Sequence, residues 1–256
     1  ENIKSKQLLG IEILGNIYIL AVLNMNLMGD GSSQVICGDS HNEIKKFDFP
    51  ANVFLLNPPY SAPGKGLVFV EEALSKMEKG YGAVLIQENA GSGQGDIYAK
   101  NILKKNTLVA SIHMPSDLFN GKASVQAAIY LFKVNRPHEE DDIVTFIDFS
   151  VDGYSRQNRK KSTQEVNLRN TDHALERYEE ICAICLGKKP KTEYYTEANG
   201  NVIKDTITLE GDDWTFAQHK IVDTRPTEED FKRTVADYLA WKVSSVLKGQ
   251  FNSISK

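Results

Sequence analysis

Four consecutive residues, Asn57-Pro58-Pro59-Tyr60, directly follow the apolar run Val53-Phe54-Leu55-Leu56 and combine groups that suit one kind of chemistry. Two adjacent prolines lock the backbone and remove two amide donors, which leaves a stiff turn whose carbonyls can point into a pocket. Asn57 adds a side-chain oxygen as an acceptor, and Tyr60 adds a flat ring. The exocyclic amine of adenine is a poor nucleophile because its lone pair is conjugated with the ring. Acceptors on both of its N–H groups favour a more amine-like nitrogen, and the Asn57 side-chain oxygen with the Pro58 carbonyl is such a pair. Tyr60 can then stack on a base rotated out of the duplex, with catalysis mostly a matter of positioning for in-line methyl transfer. The same four residues also suit a plain structural turn.

Other residues stand where a nucleotide-like ligand meets strand ends. Gly10-Ile11-Glu12-Ile13 ends a run with a carboxylate of the kind that holds ribose hydroxyls, a position that also suits a solvated surface residue. Cys37-Gly38-Asp39-Ser40 closes the next run, and Asp39 serves equally as a turn or cap residue. Gly91-Ser92-Gly93-Gln94-Gly95 lacks the Lys-Ser/Thr of a phosphate loop and reads as a flexible active-site loop. Phe119 is an aromatic that can cover a base from the side opposite Tyr60, or anchor packing. Arg156, Arg159, Lys160 and Lys161 concentrate positive charge, which fits contact with DNA phosphates or a solvated loop.

The elements that must position these groups follow an alternating rhythm. Apolar, β-rich runs at 8–13, 34–37, 53–56, 83–87, 109–114 and 127–134 predict strands, and helices are expected at 16–28, 66–79 and 97–105. This is the pattern of an α/β fold with a mostly parallel sheet, helices covering both faces. Residues 143–149 predict one more strand, the last in the sheet. Beyond lie a basic loop, a helix over 172–186 stopped by Gly187 and Pro190, two weak strand-like runs in 192–210, and a final helix after Pro226 capped by Thr227. The expected division is 1–150 for the sheet domain and 151–256 for a mainly helical C-terminal region.

Composition narrows the class. With 256 residues, 41% hydrophobic and 25% charged, the chain has the make-up of a globular protein of one large or two small domains. No apolar run reaches the ~18 residues that span a bilayer, and the opening residues resemble neither a signal nor a transit peptide, so a cytoplasmic protein with no membrane association is expected. A net charge of −4 does not point to nucleic acid, although a local basic strip is compatible with an acidic total. Cys182 and Cys185 form a C-x-x-C, but on a helix where Ile181, Cys182, Cys185 and Leu186 make one apolar face; burial is expected, and no metal.

Taken together, Gly-Ile-Glu-Ile, Gly-Asp-Ser and Asn-Pro-Pro-Tyr on successive strands resemble the amino-methyltransferases that act on DNA, whose signature is (Asp/Asn/Ser)-Pro-Pro-(Tyr/Phe/Trp). Gln87-Glu88-Asn89-Ala90-Gly91-Ser92-Gly93, Met114-Pro115-Ser116-Asp117-Leu118-Phe119, Ala123 to Ile129, Phe146-Ile147-Asp148-Phe149 and Asp213-Trp214 are similar to modification subunits of type I restriction–modification systems. The resemblance covers nearly the whole chain. It implies a Rossmann-like methyltransferase sheet and methylation of N6 of adenine in double-stranded DNA from S-adenosylmethionine. Asn57, Pro58, Pro59 and Tyr60 are then catalytic; Glu12, Ile13, Asp39, Ser40 and Asn57 hold the cofactor; Phe119, Arg156, Arg159, Lys160 and Lys161 meet DNA. The implied partners are a specificity subunit and a nuclease subunit. In such proteins a first strand with a glycine-rich loop precedes the strand that carries Glu12. The chain opens at the second strand, so it is expected to be a fragment that binds the methyl donor weakly. An inactive assembly or DNA-binding module is the alternative.

Overall fold

The computed structural model describes residues 8–29, 34–46, 50–119, 125–156, 168–221 and 225–254, the last seven by backbone alone. Alternation of small and branched apolar residues sets the strands that carry the site. In β4 (Tyr81–Gln87), β5 (Thr107–His113), β6 (Ala127–Lys133) and β7 (Val144–Asp148), branched and aromatic side chains fill both faces, as expected of strands covered on both sides, whereas β3 (Val53–Leu56) leaves Val53 and Leu55 exposed. They form one six-stranded sheet, completed by β10 (Val202–Asp205), in the order β10-β7-β5-β6-β4-β3.

The sheet is α/β in class but mixed in direction. β3 runs parallel to β4, and β5 parallel to β7. β6 runs antiparallel to both its neighbours, and β10 antiparallel to β7. The expectation of a mostly parallel sheet is corrected in this respect. Parallel pairs need a crossover element, and α3 (Leu67–Ser75) and α4 (Asp96–Leu103) provide it only ahead of β4 and β5. β7 is likewise not the last strand. β10 extends the sheet, and its Val-Ile-Lys-Asp sequence is polar at one end because it forms an edge.

Two apolar layers enclose the sheet. On one face Val84, Ile86, Tyr130, Phe132 and Phe146 pack with Leu67, Val70 and Leu74 of α3 and Ile102 of α4, and with Trp214. Trp214 stands edge-on to Tyr130 and Phe132 at ring-centroid distances of 5.3 and 5.7 Å. Its carbonyl accepts the Ser111 hydroxyl at 2.6 Å. On the other face Ile112, Met114, Ile147 and Phe149 meet Ile181 of α5 (Ala174–Cys185) and Tyr195. Packing therefore does not break at residue 150: one compact unit extends to Lys220, and residues 221–256 form a second.

Within α5 the buried stripe differs from the expected one. Tyr178, Ile181, Ile184 and Cys185 face the core, while Cys182 and Leu186 are exposed. Burial pushes the Cys185 thiol up to about 12. The stripe turns because Glu180 also faces inward, where its carboxylate accepts from the Thr192 hydroxyl and from the amides of Tyr194 and Tyr195.

β1 (Leu9–Glu12) and β2 (Gln34–Cys37) form a separate parallel pair, linked by α1 (Gly15–Leu27). After β2, α2 (Ser40–Glu43) reaches α3: His41 stacks on Phe69 at 4.4 Å and its Nδ1 lies 2.5 Å from Glu72 Oε2. A short hairpin, β8 (Tyr154–Arg156) with β9 (Leu168–Asn170), precedes α5, and α6 (Phe216–His219) follows Trp214. In the second unit α7 (Glu228–Ile254) is capped by Thr227, whose hydroxyl accepts the Asp230 amide at 3.2 Å. No helix among the described residues is long and apolar enough to cross a membrane.

Candidate active site

The corner begins where β3 ends. Asn57 and Pro59 are exposed, Pro58 is buried and Tyr60 is half-buried. The Pro59 carbonyl accepts the Ala62 amide at 3.0 Å, which closes the turn. Gly66 backs it with φ of 101°, and a Cβ there would lie 2.7 Å from Pro58 Cγ. Only glycine fits both the left-handed backbone and the close approach. Among the described residues nothing hydrogen-bonds to the Asn57 side chain or to the Pro58 carbonyl. Two acceptors thus stand at the carboxyl end of a parallel strand, where open α/β sheets place their chemistry.

Two loops close around the corner. Tyr60 meets Phe119 edge to face, with ring centroids 6.2 Å apart and planes at 77°. The Tyr60 hydroxyl is buried without a partner among the described residues, and burial raises its pKa. Lys65, in the 3₁₀ turn after Tyr60, donates to the carbonyl of Asn89 at 2.7 Å. The loop after β4 is tied in turn to the end of β5, with His113 Nδ1 at 2.5 Å from Glu88 Oε1. A hydrogen bond to the Glu88 carboxylate raises the His113 pKa; burial opposes it, and the charges of Glu88 and Asp148 add to it. Lys65 and His113 have no signature in the sequence, and Glu88 stands there only within the run from Gln87 to Gly93 that carries the resemblance, because their contacts arise from loops that meet only in the fold.

At the carboxyl ends of β1 and β2 two carboxylates lie side by side. Glu12 is in register with Cys37; its Oε1 accepts the Leu14 amide at 2.7 Å. Asp39 caps α2, its Oδ1 accepting the His41 amide at 2.9 Å, and Ser40 opens that helix. Ile13 beside Glu12 is exposed. One oxygen of each carboxylate accepts a backbone amide, and the second oxygen of Asp39 takes a long contact, 3.5 Å, from the Asn42 side-chain amide. With an exposed apolar neighbour, that donor set fits the ribose and adenine of a nucleoside cofactor.

Arg156 does not stand as a loose cation. Its guanidinium, 9% exposed, pairs with Asp152 and, at 3.2 Å, with Asp117. Arg159, Lys160 and Lys161 lie outside the described residues.

A model of N-6 DNA methylases matches residues 63–205, more than half of the chain. The chain belongs to the N-6 DNA methylase family. The family match begins just past the Asn57–Tyr60 corner. This N-6 DNA methylase is 29% identical over 263 residues to the type II restriction enzyme and methyltransferase RM.BcgI of Heyndrickxia coagulans, an alignment covering 97% of the chain and 39% of that protein. It shares its fold with the M protein of the type I restriction enzyme EcoKI (TM-score 0.58, 17% identity, 93% of this chain and 58% of that one). The type I methyltransferase subunit of Streptococcus thermophilus also has this fold (TM-score 0.56, 16% identity, 83% and 48%). The chain spans about two-fifths of the curated relative and about half of these solved chains.

Proposed function

We propose that this N-6 DNA methylase transfers a methyl group from S-adenosylmethionine to N6 of an adenine turned out of double-stranded DNA, as part of a restriction–modification system. The observation that carries this reading is the pair of unengaged acceptors, the Asn57 amide oxygen and the Pro58 carbonyl, beside the Tyr60 and Phe119 rings. The two oxygens accept the N6 hydrogens and return lone-pair density to nitrogen, while the rings flank the base. Pro59 keeps the corner rigid, so little reorganisation is needed as charge develops.

S-adenosylmethionine, when bound, supplies an electrophilic methyl on a sulfonium. Glu12 holds its ribose hydroxyls and Asp39 its adenine amine, with Ile13 and Ser40 lining the same ledge and Asn57 nearest the methyl. A glycine-rich turn for the amino-acid end belongs, on this reading, to a further strand beside β1 and β3. Each of these has a single strand neighbour among the described residues, and Leu55 of β3 is 75% exposed. Arg159, Lys160 and Lys161 contact phosphates, with Arg156 anchoring the base of their loop. The C-terminal region from 151 onward, with the exposed Val235, Leu239 and Val246 of α7, docks to specificity and nuclease subunits in the cytoplasm. Those exposed side chains also favour the second reading, a docking module without activity.

Transfer of labelled methyl from S-adenosylmethionine to DNA by the protein with its specificity partner, followed by nucleoside analysis, tests the proposal. Label in N6-methyladenine supports it, and DNA that stays unlabelled contradicts it.

A further inference from the structure

The pair formed by Glu88 and His113 takes no part in the reaction drawn above, yet it joins the two loops that flank the corner. Glu88 follows β4 and His113 ends β5, two strands separated by β6. The side chains meet over Ala128, which is fully buried and lies opposite both Ile86 and His113. A bare methyl at that position leaves room for the 2.5 Å contact. On the far side β7 places Asp148 in register with His113. The His113 and Glu88 side chains are 24% and 16% exposed, so solvent screens them little.

From each partner a short path leads to the corner. The carbonyl of Asn89, next to Glu88, accepts Lys65 from the turn after Tyr60. Met114, next to His113, accepts the Gln126 side-chain amide on its carbonyl at 2.6 Å and opens the loop that brings Phe119 to Tyr60.

We propose that Glu88 and His113 are a pH-sensitive positioning pair for the base pocket: while joined, they hold the loops after β4 and β5 so that Tyr60 and Phe119 face the same space. This rests on the reading of the corner as an adenine site. The imidazolium is favoured by Glu88 and Asp148. Tyr130 of β6 donates its hydroxyl to the Glu88 carbonyl, and burial keeps that phenol protonated. On the same face one Asp213 oxygen accepts the Thr208 amide while the other is buried without a partner among the described residues, His219 pairs with Asp205, and Lys100 of α4 pairs with Asp96 and Glu210. Because the His113 pKa lies above the ordinary histidine value, the charged pair persists to higher pH than an isolated histidine would allow and weakens as pH rises through the raised value.

The test is extrusion of 2-aminopurine, placed where the full protein methylates adenine, followed by fluorescence from about pH 6 to about pH 9. Wild type is expected to lose signal on the alkaline side. Glu88→Gln and His113→Gln are expected to lower the signal on the order of tenfold at neutral pH and to flatten that alkaline limb, with DNA affinity and unfolding temperature kept. Glu88→Gln preserves shape, and in it the ring signal of His113 should titrate at a lower pH. Extrusion by wild type that both variants reproduce at every pH overturns the proposal alone, and so does a Glu88→Gln protein that no longer folds, since the pair is then structural. Absence of extrusion in wild type overturns it together with the reading on which it rests.

Discussion

Phe119 and Tyr60 meet edge to face, joining the loop after β5 to the corner after β3. The contact spans strands that are not neighbours in the sheet, and it gives the space beside Asn57 two aromatic walls. Base–aromatic stacking contributes about 1–3 kcal/mol. Phe119→Ala should weaken binding of DNA whose target adenine is unpaired by a corresponding roughly 5- to 150-fold, while fully paired duplex, held by phosphates, loses less; fluorescence anisotropy on both duplexes checks this.

Tyr60 carries a buried hydroxyl with no partner among the described residues. An unsatisfied buried polar group costs about 1–3 kcal/mol, so Tyr60→Phe should leave the fold as stable as wild type or raise its stability by about 1 kcal/mol. A lowered urea midpoint would show that the hydroxyl has a role of its own.

Gly66→Ala tests the corner from behind. The added Cβ meets Pro58 at 2.7 Å on a backbone with positive φ, and should cost roughly 1–3 kcal/mol of stability. Because the strain falls on Pro58, methyl transfer should fall by more than the loss of folded protein explains, as measured at a temperature where the variant remains folded.

Asp152 tests the acid side. Burial disfavours its charge, but Arg156, the Tyr154 amide and the Tyr178 hydroxyl outweigh that and hold its carboxyl below the ordinary range. Its contribution is present above the unfolded carboxylate value of about 3.9 and is lost as pH falls through the depressed one. Asp152→Asn leaves Arg156 short of a partner, and should cost roughly 3–5 kcal/mol at neutral pH and flatten acid unfolding. Arg156→Glu should therefore destabilise the protein, whereas reversing Arg159, Lys160 and Lys161 should reduce the salt dependence of DNA binding. Chemical denaturation and salt titration separate the two effects.

What the sequence made legible follows from the range of the interactions. The corner, the two carboxylates and the strands that carry them are local patterns, and β2 and β3 have their expected bounds. β6 also falls where its apolar run lies, but its direction depends on which strands flank it, a non-local fact. β10 was weak because an edge strand needs few apolar residues. The spacing of α5 does not reveal that Cys182 is exposed, because two helical faces differ by one residue and the buried Glu180 has partners that lie beyond the helix. Trp214, quoted for its resemblance, is a core residue of the sheet unit; Trp214→Ala should cost roughly 3–5 kcal/mol across that whole unit.

On the proposed function, Asn57 and Pro58 draw electron density onto the adenine amine. This is tested most directly by single-turnover methyl transfer at saturating DNA and donor, comparing wild type with Asn57→Ala. A fall of about a hundredfold or more in the transfer rate, with DNA affinity within a few fold, is the expected result. An Asn57→Ala protein that transfers the methyl group at the wild-type rate would contradict the account.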